Sequence, residues 1–172
     1  MRTLILGGAR SGKSALAEKL AREDGREVVY VATAEARDGE MRTRIAHHLA
    51  RRPAEWLCVE EPVALAAALQ VHARDGRVLL VDCLTLWLSN VLHIGTLCFE
   101  SQRAALLDAL PGLPGEILLV SNEVGLGVVP MGEFSRRFVD EAGRLNQAVA
   151  ASVERVLFVA AGLPVALKGE LP

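Results

Sequence analysis

A glycine-rich octapeptide near the start of the chain limits the folds that this sequence can adopt. Residues 7–14 are Gly-Gly-Ala-Arg-Ser-Gly-Lys-Ser, which fits the pattern G-x-x-x-x-G-K-[ST], and they follow an apolar run that ends at Leu6. Glycines in this pattern let several backbone N–H groups converge on a phosphate, because no side chain stands in the way. The octapeptide therefore predicts a phosphate-binding loop between a first strand and a first helix.

Each position of the octapeptide has a predicted role. Lys13 would place its ammonium between the terminal phosphates, and Ser14 would offer its hydroxyl to Mg²⁺ at the positive end of a helix. The competing interpretation is coincidence, which should produce this spacing in roughly one chain of this length in a hundred or fewer. The residues predicted to bind nucleotide in this loop are Gly7, Gly8, Ala9, Arg10, Ser11, Gly12, Lys13 and Ser14.

Length and composition narrow the class of protein. A chain of 172 residues is most simply a single domain, here residues 1–172. Its three cysteines form no C-x-x-C pair, so we expect core residues in a reducing compartment rather than a disulfide framework or a zinc site. The net charge of −2 gives no electrostatic footprint for nucleic acid.

The apolar segments do not predict a membrane protein. The first residues lack the basic and apolar regions of a signal peptide. The longest apolar run, residues 156–167, contains Gly162 and Pro164 and is too short to span a bilayer. We therefore expect a soluble, cytoplasmic protein.

Apolar periodicity predicts strands that alternate with helices along the chain. Strands are predicted at residues 3–6, 27–32, 55–60, 77–82, 116–121 and 155–160. Helices are predicted at residues 13–23, 38–51, 84–92, 103–110 and 131–153, with a further helix that begins at Pro62. This alternation indicates an α/β fold with a largely parallel sheet.

Asp82 is the second candidate for metal or nucleotide binding. It ends the predicted strand Val-Leu-Leu-Val-Asp, and strands of a parallel sheet end at the edge where ligands bind. A strand-terminal aspartate is often a turn residue, but beside a phosphate loop we favour a carboxylate that holds Mg²⁺.

His47 and His48 are adjacent in a predicted helix that is rich in arginine. A neutral imidazole can attack phosphorus at neutral pH, although the spacing alone favours a surface or capping histidine. The surrounding arginines fit either a solvated helix face or phosphate recognition, and the sequence does not separate these interpretations. They are Arg42, Arg44, Arg51 and Arg52.

The segment after the fourth strong strand is a candidate ligand loop. Residues 121–130 carry a polar pair and spaced glycines, which also occur in ordinary connections. No N-K-x-D tetrad occurs, and the D-x-x-G at residues 140–143 falls inside a predicted helix, which disfavours a regulatory GTPase.

Several segments together resemble the bifunctional adenosylcobinamide kinase/adenosylcobinamide-phosphate guanylyltransferases of cobalamin biosynthesis. The resemblance runs in the same order from the first strand to Lys168. The segments that carry it are residues 7–14, 32–34 (Ala-Thr-Ala), 44–48 (Arg-Ile-Ala-His-His), Arg52 and Pro53 with Trp56, 122–125 (Asn-Glu-Val-Gly) and 143–147 (Gly-Arg-Leu-Asn-Gln).

The resemblance implies two reactions at one nucleotide site. In the first, a hydroxyl of adenosylcobinamide attacks the γ-phosphate of ATP or GTP. In the second, a histidine takes GMP from GTP, releases pyrophosphate and passes GMP to adenosylcobinamide phosphate. The residue at the family's guanylylated position is His47, which reverses the preference from spacing alone.

The resemblance also implies the remaining site residues and the assembly. Similar proteins are RecA-like P-loop NTPases with helices on both faces of the sheet, and they form homotrimers with sites at subunit boundaries. The implied partner is the corrinoid substrate. The nucleotide contacts carried over outside the loop are Ala32, Thr33, Ala34, His48, Leu49, Ala50, Arg51, Glu60 and Asp82, with Mg²⁺ held by Ser14 and Asp82.

Two other functions stay open from the residues alone. A plain P-loop kinase of a small molecule would use the same loop and Asp82, form no covalent nucleotide and tolerate replacement of His47. A nucleotide-dependent regulatory module would need a partner protein and no corrinoid.

Overall fold

The computed structural model describes residues 1–35, 39 and 53–172, which form one sheet with helices packed on it. The strands are β1 Arg2–Gly7, β2 Glu27–Ala32, β3 Leu57–Glu60, β4 Arg77–Asp82, β5 Glu116–Asn122, β6 Arg155–Ala160 and β7 Leu163–Lys168. The helices are α1 Lys13–Glu23, α2 Leu65–His72, α3 Leu84–Ile94, α4 Thr96–Ala109 and α5 Glu133–Ser152, and a 3₁₀ turn spans Leu110–Gly112.

The strand order confirms the predicted α/β fold. In the described chain the order is β3-β2-β4-β5-β1-β6-β7, and all neighbours are parallel except β6 and β7. The carboxyl ends of the parallel strands therefore meet at one edge of the sheet. β5 lies between β1, which leads into the phosphate loop, and β4, which ends at Asp82.

Apolar side chains cover both faces of the sheet. Alternate residues of β1 show this: Leu4 and Leu6 belong to one buried cluster and Ile5 to the other. The first cluster includes residues of α2, α3, α4 and α5, and the second includes Ala17 and Ala21 of α1. Strands buried on both faces explain the nearly continuous apolar runs in the sequence.

Three sequence-based boundaries need correction. The apolar segment that begins at Leu163 is a seventh strand, antiparallel to β6, and not merely a run too short for a membrane. Helix α4 begins at Thr96 rather than residue 103. Helix α2 begins at Leu65 rather than Pro62, because the Glu61 carboxylate accepts hydrogen bonds from the N–H groups of the two residues after Pro62 and forms a turn there.

The expectation that the three cysteines are core residues is only partly confirmed. Cys83 is buried and Cys98 half-buried, but Cys58 is exposed on the edge strand β3, so it is not a core residue.

The helix predicted at residues 38–51 lies outside the described residues, apart from residue 39. Among the helices that the structure describes, none has the length and apolar character needed to cross a membrane.

Candidate active site

The phosphate loop connects the carboxyl end of β1 to the first turn of α1. Positive φ angles at Arg10 and Gly12, 56° and 101°, turn the chain back on itself between the two elements. The carbonyl of Gly12 accepts the first helical hydrogen bond, from the N–H of Leu16 at 2.9 Å. The free N–H groups of this helix end therefore lie beside the loop, where they favour an anion.

Two neighbouring glycines of the loop serve different purposes. A Cβ at Gly7 would lie 2.5 Å from both the Ser11 hydroxyl oxygen and the Val159 carbonyl oxygen, so close packing requires glycine there. A Cβ at Gly8 would meet no atom within 4 Å. Gly8 therefore faces open space, the space that a phosphate needs.

The turn between β6 and β7 supports the phosphate loop from the other side. The N–H of Gly162 donates to the Ser11 carbonyl at 2.8 Å. A Cβ at Gly12 would lie 3.1 Å from the Gly162 Cα, so the two backbones are in close contact. The sequence does not predict this contact, because the only local signal for it is the Ala-Gly pair at positions 161 and 162. In the structure both residues have positive φ angles.

Lys13 is held inside the loop. Its side chain is buried, and its Nζ donates to the Gly8 carbonyl at 2.9 Å. Burial lowers the pKa of Lys13 below its usual value, and the nearby Asp82 carboxylate opposes that change. The ammonium is thus already desolvated and positioned next to the open space at Gly8, where bound phosphates would surround it with negative charge.

Asp82 lies at the carboxyl end of β4 and is half-buried. Its Oδ2 accepts a hydrogen bond from the Tyr30 hydroxyl at 3.0 Å. The carboxylate interacts electrostatically with Lys13, which places it on the loop side of the sheet. Carboxylate and hydroxyl oxygens are the ligands that Mg²⁺ prefers, so the donor types at Asp82 and Ser14 fit this ion.

Thr33 fixes the backbone that follows Asp82. It is fully buried, and its hydroxyl both donates to the Cys83 carbonyl at 2.7 Å and accepts from the Cys83 N–H at 2.9 Å. The Thr33 N–H also donates to the Asp82 carbonyl, and its carbonyl accepts from Asn90 at 2.8 Å. Thr33 therefore joins the ends of β2 and β4.

A buried polar cluster holds the end of β5. The Ser121 hydroxyl donates to Oδ1 of Asn146 at 2.8 Å, and Nδ2 of Asn146 donates to the Asn122 carbonyl at 3.3 Å. The N–H of Asn122 donates to the Thr85 hydroxyl at 2.6 Å. The two separate segments at residues 122–125 and 143–147 are thus parts of one structural unit.

Glu123 follows this cluster and lies next to the phosphate loop. Its N–H donates to the Gly7 carbonyl at 3.0 Å, and its Oε1 accepts from the Gly125 N–H at 2.8 Å. The side chain is half-buried. The sequence singled out the surrounding segment but gave Glu123 no role of its own.

The remaining predicted site residues lie in different places. Ala32 and Ala34 are half-buried at the end of β2, and Glu60 is exposed at the end of β3. Because β3 is four strands from β1, Glu60 is about 19 Å from the phosphate loop along the sheet. His47, His48, Leu49, Ala50 and Arg51 lie outside the described residues.

A family model described as cobinamide kinase / cobinamide phosphate guanyltransferase matches residues 3–167 of the chain. The bifunctional adenosylcobalamin biosynthesis protein CobP of Pseudomonas aeruginosa is 63% identical over 175 residues, with 99% of each chain covered. The corresponding CobU proteins of Escherichia coli and Salmonella typhimurium are each 35% identical over 182 residues, covering 98% of this chain and all of theirs.

Solved structures support the fold. The ATPase EscN of an enteropathogenic E. coli secretion system matches 92% of this chain and 41% of its own, with a TM-score of 0.61 and 16% identity. The PH0250 protein of Pyrococcus horikoshii matches 97% of this chain and 85% of its own, with a TM-score of 0.55 and 8% identity. Both matches are at low sequence identity and so show the fold alone, a largely parallel sheet with helices on both faces.

Proposed function

The chain belongs to the cobinamide kinase / cobinamide phosphate guanyltransferase family, and from that premise we propose that one nucleotide site serves both of its reactions. The enzyme is a bifunctional transferase of adenosylcobalamin biosynthesis. The observation that carries the proposal is the buried Lys13, bonded to the Gly8 carbonyl beside open space and facing Asp82.

In the kinase reaction, a hydroxyl of adenosylcobinamide attacks the γ-phosphorus of ATP or GTP. Phosphoryl transfer is accelerated mainly by positioning and by positive charge around the phosphate oxygens. Lys13 and the free N–H groups at the start of α1 supply that charge. Their positions are fixed before the nucleotide binds, so little reorganisation is needed in the transition state.

In the guanylyltransferase reaction, His47 attacks the α-phosphorus of GTP. Pyrophosphate leaves, and GMP stays bound to the imidazole as a phosphoramidate. A phosphate oxygen of adenosylcobinamide phosphate then attacks the same phosphorus, the P–N bond breaks and the imidazole leaves, which gives adenosylcobinamide-GDP. The leaving pyrophosphate consists of the β- and γ-phosphates, which are the groups that the loop would hold in the kinase reaction. The same residues therefore stabilise the charge that develops in both reactions.

Mg²⁺ is the proposed metal of the site. Ser14 and Asp82 would hold it, and its charge would neutralise phosphate oxygens during transfer. The hydrogen bond from Tyr30 orients the Asp82 carboxylate for this role.

The proposed nucleotide contacts continue along the carboxyl edge of the sheet. We place Ala32, Thr33 and Ala34 at the end of β2 and Glu60 at the end of β3 in this group. Residues 48–51 complete it. The Thr33 hydroxyl already makes two hydrogen bonds to the Cys83 backbone. Thr33 would therefore contribute to nucleotide binding through its own backbone and not through its hydroxyl.

The proposed assembly is a cytoplasmic homotrimer that acts on a corrinoid and has neither a nucleic acid nor a membrane as its partner. The β7 strand at the edge of the sheet exposes Leu163, Val165 and Leu167 on alternate positions, an apolar surface suited to contact with another subunit. Light scattering on purified protein would test the trimer, and a monomer at all concentrations would contradict it.

A two-stage assay tests whether one site serves both reactions. The enzyme is given adenosylcobinamide and ATP, then GTP, and products are identified by mass spectrometry. We expect adenosylcobinamide phosphate first, then adenosylcobinamide-GDP with pyrophosphate. Lys13→Met and Asp82→Asn should lose both activities, whereas Lys19→Met, on the exposed side of the same helix, should keep both. Loss of only one activity in both site variants would contradict a shared site.

A further inference from the structure

We propose that Glu123 is the general base of the kinase reaction and has no chemical role in guanylyl transfer. The inference rests on the proposed nucleotide site and assigns a residue to a step that the site as described leaves without a proton acceptor. The observation that carries it is that the Glu123 backbone is hydrogen-bonded to the phosphate loop while a second hydrogen bond fixes the Glu123 carboxylate.

Four hydrogen bonds fix Glu123 and the residue before it. Asn122 is held by Thr85 through its N–H and by Asn146 through its carbonyl. Glu123 is held by Gly7 through its N–H and by Gly125 through Oε1. A carboxylate constrained in this way loses little conformational freedom when an acceptor binds, which is the property expected of a catalytic base.

The second carboxylate oxygen is available for a proton. In the part of the chain that the structure describes, Oε2 of Glu123 has no hydrogen-bond partner, and no cation forms an ion pair with the carboxylate. Oε1 is used to position the side chain. One oxygen therefore holds the carboxylate in place while the other can accept a proton, as a general base must.

The strand order places Glu123 where a γ-phosphate and its acceptor would meet. In the register of the sheet, Gly7 of β1 pairs with Asn122, and Asp82 of β4 pairs with Val120. Glu123 thus extends one residue beyond the level of Gly7 and three beyond that of Asp82. It lies past the edge, between the phosphate loop and the proposed metal ligand.

Other carboxylates of the described edge are less suitable. The Glu61 carboxylate already accepts two backbone N–H groups, and Asp82 accepts the Tyr30 hydroxyl and faces Lys13. Glu60 lies on β3, at the far side of the sheet from β1. Among the described acidic residues at this edge, Glu123 alone directly follows a strand next to β1.

The two reactions differ in their need for a base. The kinase acceptor is an alcohol, whose proton must be removed as its oxygen attacks phosphorus. The guanylyl acceptors are a neutral imidazole and a phosphate anion, and both attack with a lone pair that carries no proton. A base is therefore required in only one of the two reactions at the shared site.

The hydroxyl proton of adenosylcobinamide moves to Oε2 of Glu123 while the hydroxyl oxygen bonds to the γ-phosphorus. The bond between that phosphorus and the β,γ-bridging oxygen breaks, and the electron pair leaves with the nucleoside diphosphate. Glu123 then releases the proton to solvent.

The test measures both activities of Glu123→Gln. The glutamine keeps an oxygen for the Gly125 N–H but cannot accept the hydroxyl proton. We expect kcat of the kinase to fall by about 10²- to 10⁴-fold, with KM for ATP nearly unchanged. The rates of GMP attachment to the enzyme and of GMP transfer to adenosylcobinamide phosphate should stay within about twofold of wild type.

Two companion variants separate proton transfer from loop structure. Glu123→Asp keeps a carboxylate on a shorter side chain and should recover part of the kinase rate. Its kinase rate should fall at acid pH, whereas the rate of Glu123→Gln should show no such fall. Glu133→Gln, an exposed residue at the start of α5, should match wild type in every assay.

Two results would overturn the proposal. An unchanged kinase rate in Glu123→Gln would mean that another group accepts the proton. An equal fall in both activities would mean that Glu123 shapes the loop for both reactions. Failure of the nucleotide site itself is distinguishable, because Lys13→Met would then keep at least one of the two activities, or wild-type enzyme would form no GMP adduct, whatever the result for Glu123→Gln.

Discussion

The hydroxyl of Tyr30 donates a hydrogen bond to Oδ2 of Asp82 over 3.0 Å, linking strands β2 and β4. Tyr30 is almost fully buried among apolar residues on the α1 side of the sheet. Its ring is therefore fixed by packing, and its hydroxyl fixes the carboxylate in turn. A residue of the core thereby controls the orientation of a proposed metal ligand.

Tyr30→Phe should weaken the use of Mg²⁺. The change removes one oxygen and leaves the ring packing intact, so the stability cost should be about 2 kcal/mol, as for other hydrogen bonds to charged groups. The Mg²⁺ concentration at half-maximal activity should rise about tenfold, since the metal ligand loses its orienting partner. Titration of both activities with Mg²⁺ measures this, and an unchanged midpoint would show that Tyr30 does not orient the ligand.

Lys13→Met should abolish nucleotide binding without lowering the stability of the free protein. Burial lowers the pKa of Lys13, because the folded state disfavours its charged form. The charged ammonium therefore lowers the stability of the folded protein at neutral pH, and this destabilisation disappears only as pH rises. Methionine removes that cost and keeps the length of the side chain. We expect an unchanged or higher melting temperature and a loss of GTP affinity of about 100-fold or more.

Calorimetric titration with GTP and thermal unfolding of the same preparation measure the two effects. A variant that binds GTP as tightly as wild type would exclude Lys13 from the phosphate site. A large fall in melting temperature would instead make Lys13 a structural residue.

Gly7→Ala and Gly8→Ala should separate folding from ligand binding. A methyl group at Gly7 would clash with the Ser11 hydroxyl and the Val159 carbonyl, each 2.5 Å away, so this variant should lose stability by about 2 kcal/mol or more. A methyl group at Gly8 meets nothing in the free protein but occupies the open space. Gly8→Ala should therefore unfold like wild type in urea and bind GTP much more weakly; equal GTP affinity would place the phosphates elsewhere.

Glu27→Gln should lower the stability of the protein at neutral pH but not at acid pH. The hydrogen bond from Arg77 holds the pKa of Glu27 below its usual value of 4.5, and Arg77 itself is buried. Because the folded pKa is depressed, the stabilisation is complete above the unfolded value and is lost as pH falls through the folded value. Urea midpoints of the variant and wild type should differ at pH 7 and converge below pH 4.5. A constant difference would assign the effect to packing.

The local sequence was sufficient to predict most of the fold. Apolar runs located the buried strands, and the octapeptide and the acid at the end of β4 marked the edge of the sheet. These signals are short-range, because a strand buried on both faces must be apolar at every position. Pro164 obscured β7, but a proline is tolerated in an edge strand.

The parts of the site that depend on tertiary contacts were not predictable in this way. The contact of Gly162 with Ser11 joins residues 151 positions apart, and the Thr33 hydroxyl is hydrogen-bonded to the backbone of Cys83, which follows β4. Neither residue type implies its partner. In the sequence, Asn146 stands out only as part of the segment that resembles the family. Its hydrogen bonds to Ser121 and Asn122 at the end of β5 depend on the packing of α5 against the sheet.

Intact-mass spectrometry after incubation with GTP and Mg²⁺ tests the central claim of covalent guanylyl transfer most directly. Wild-type protein, His47→Ala and His48→Ala are compared, with adenosylcobinamide phosphate added in a second series. The account predicts an acid-labile, alkali-stable gain of one GMP in wild type and His48→Ala that is absent from His47→Ala. The absence of any adduct in both series, on folded protein that binds GTP and still phosphorylates adenosylcobinamide, would contradict it.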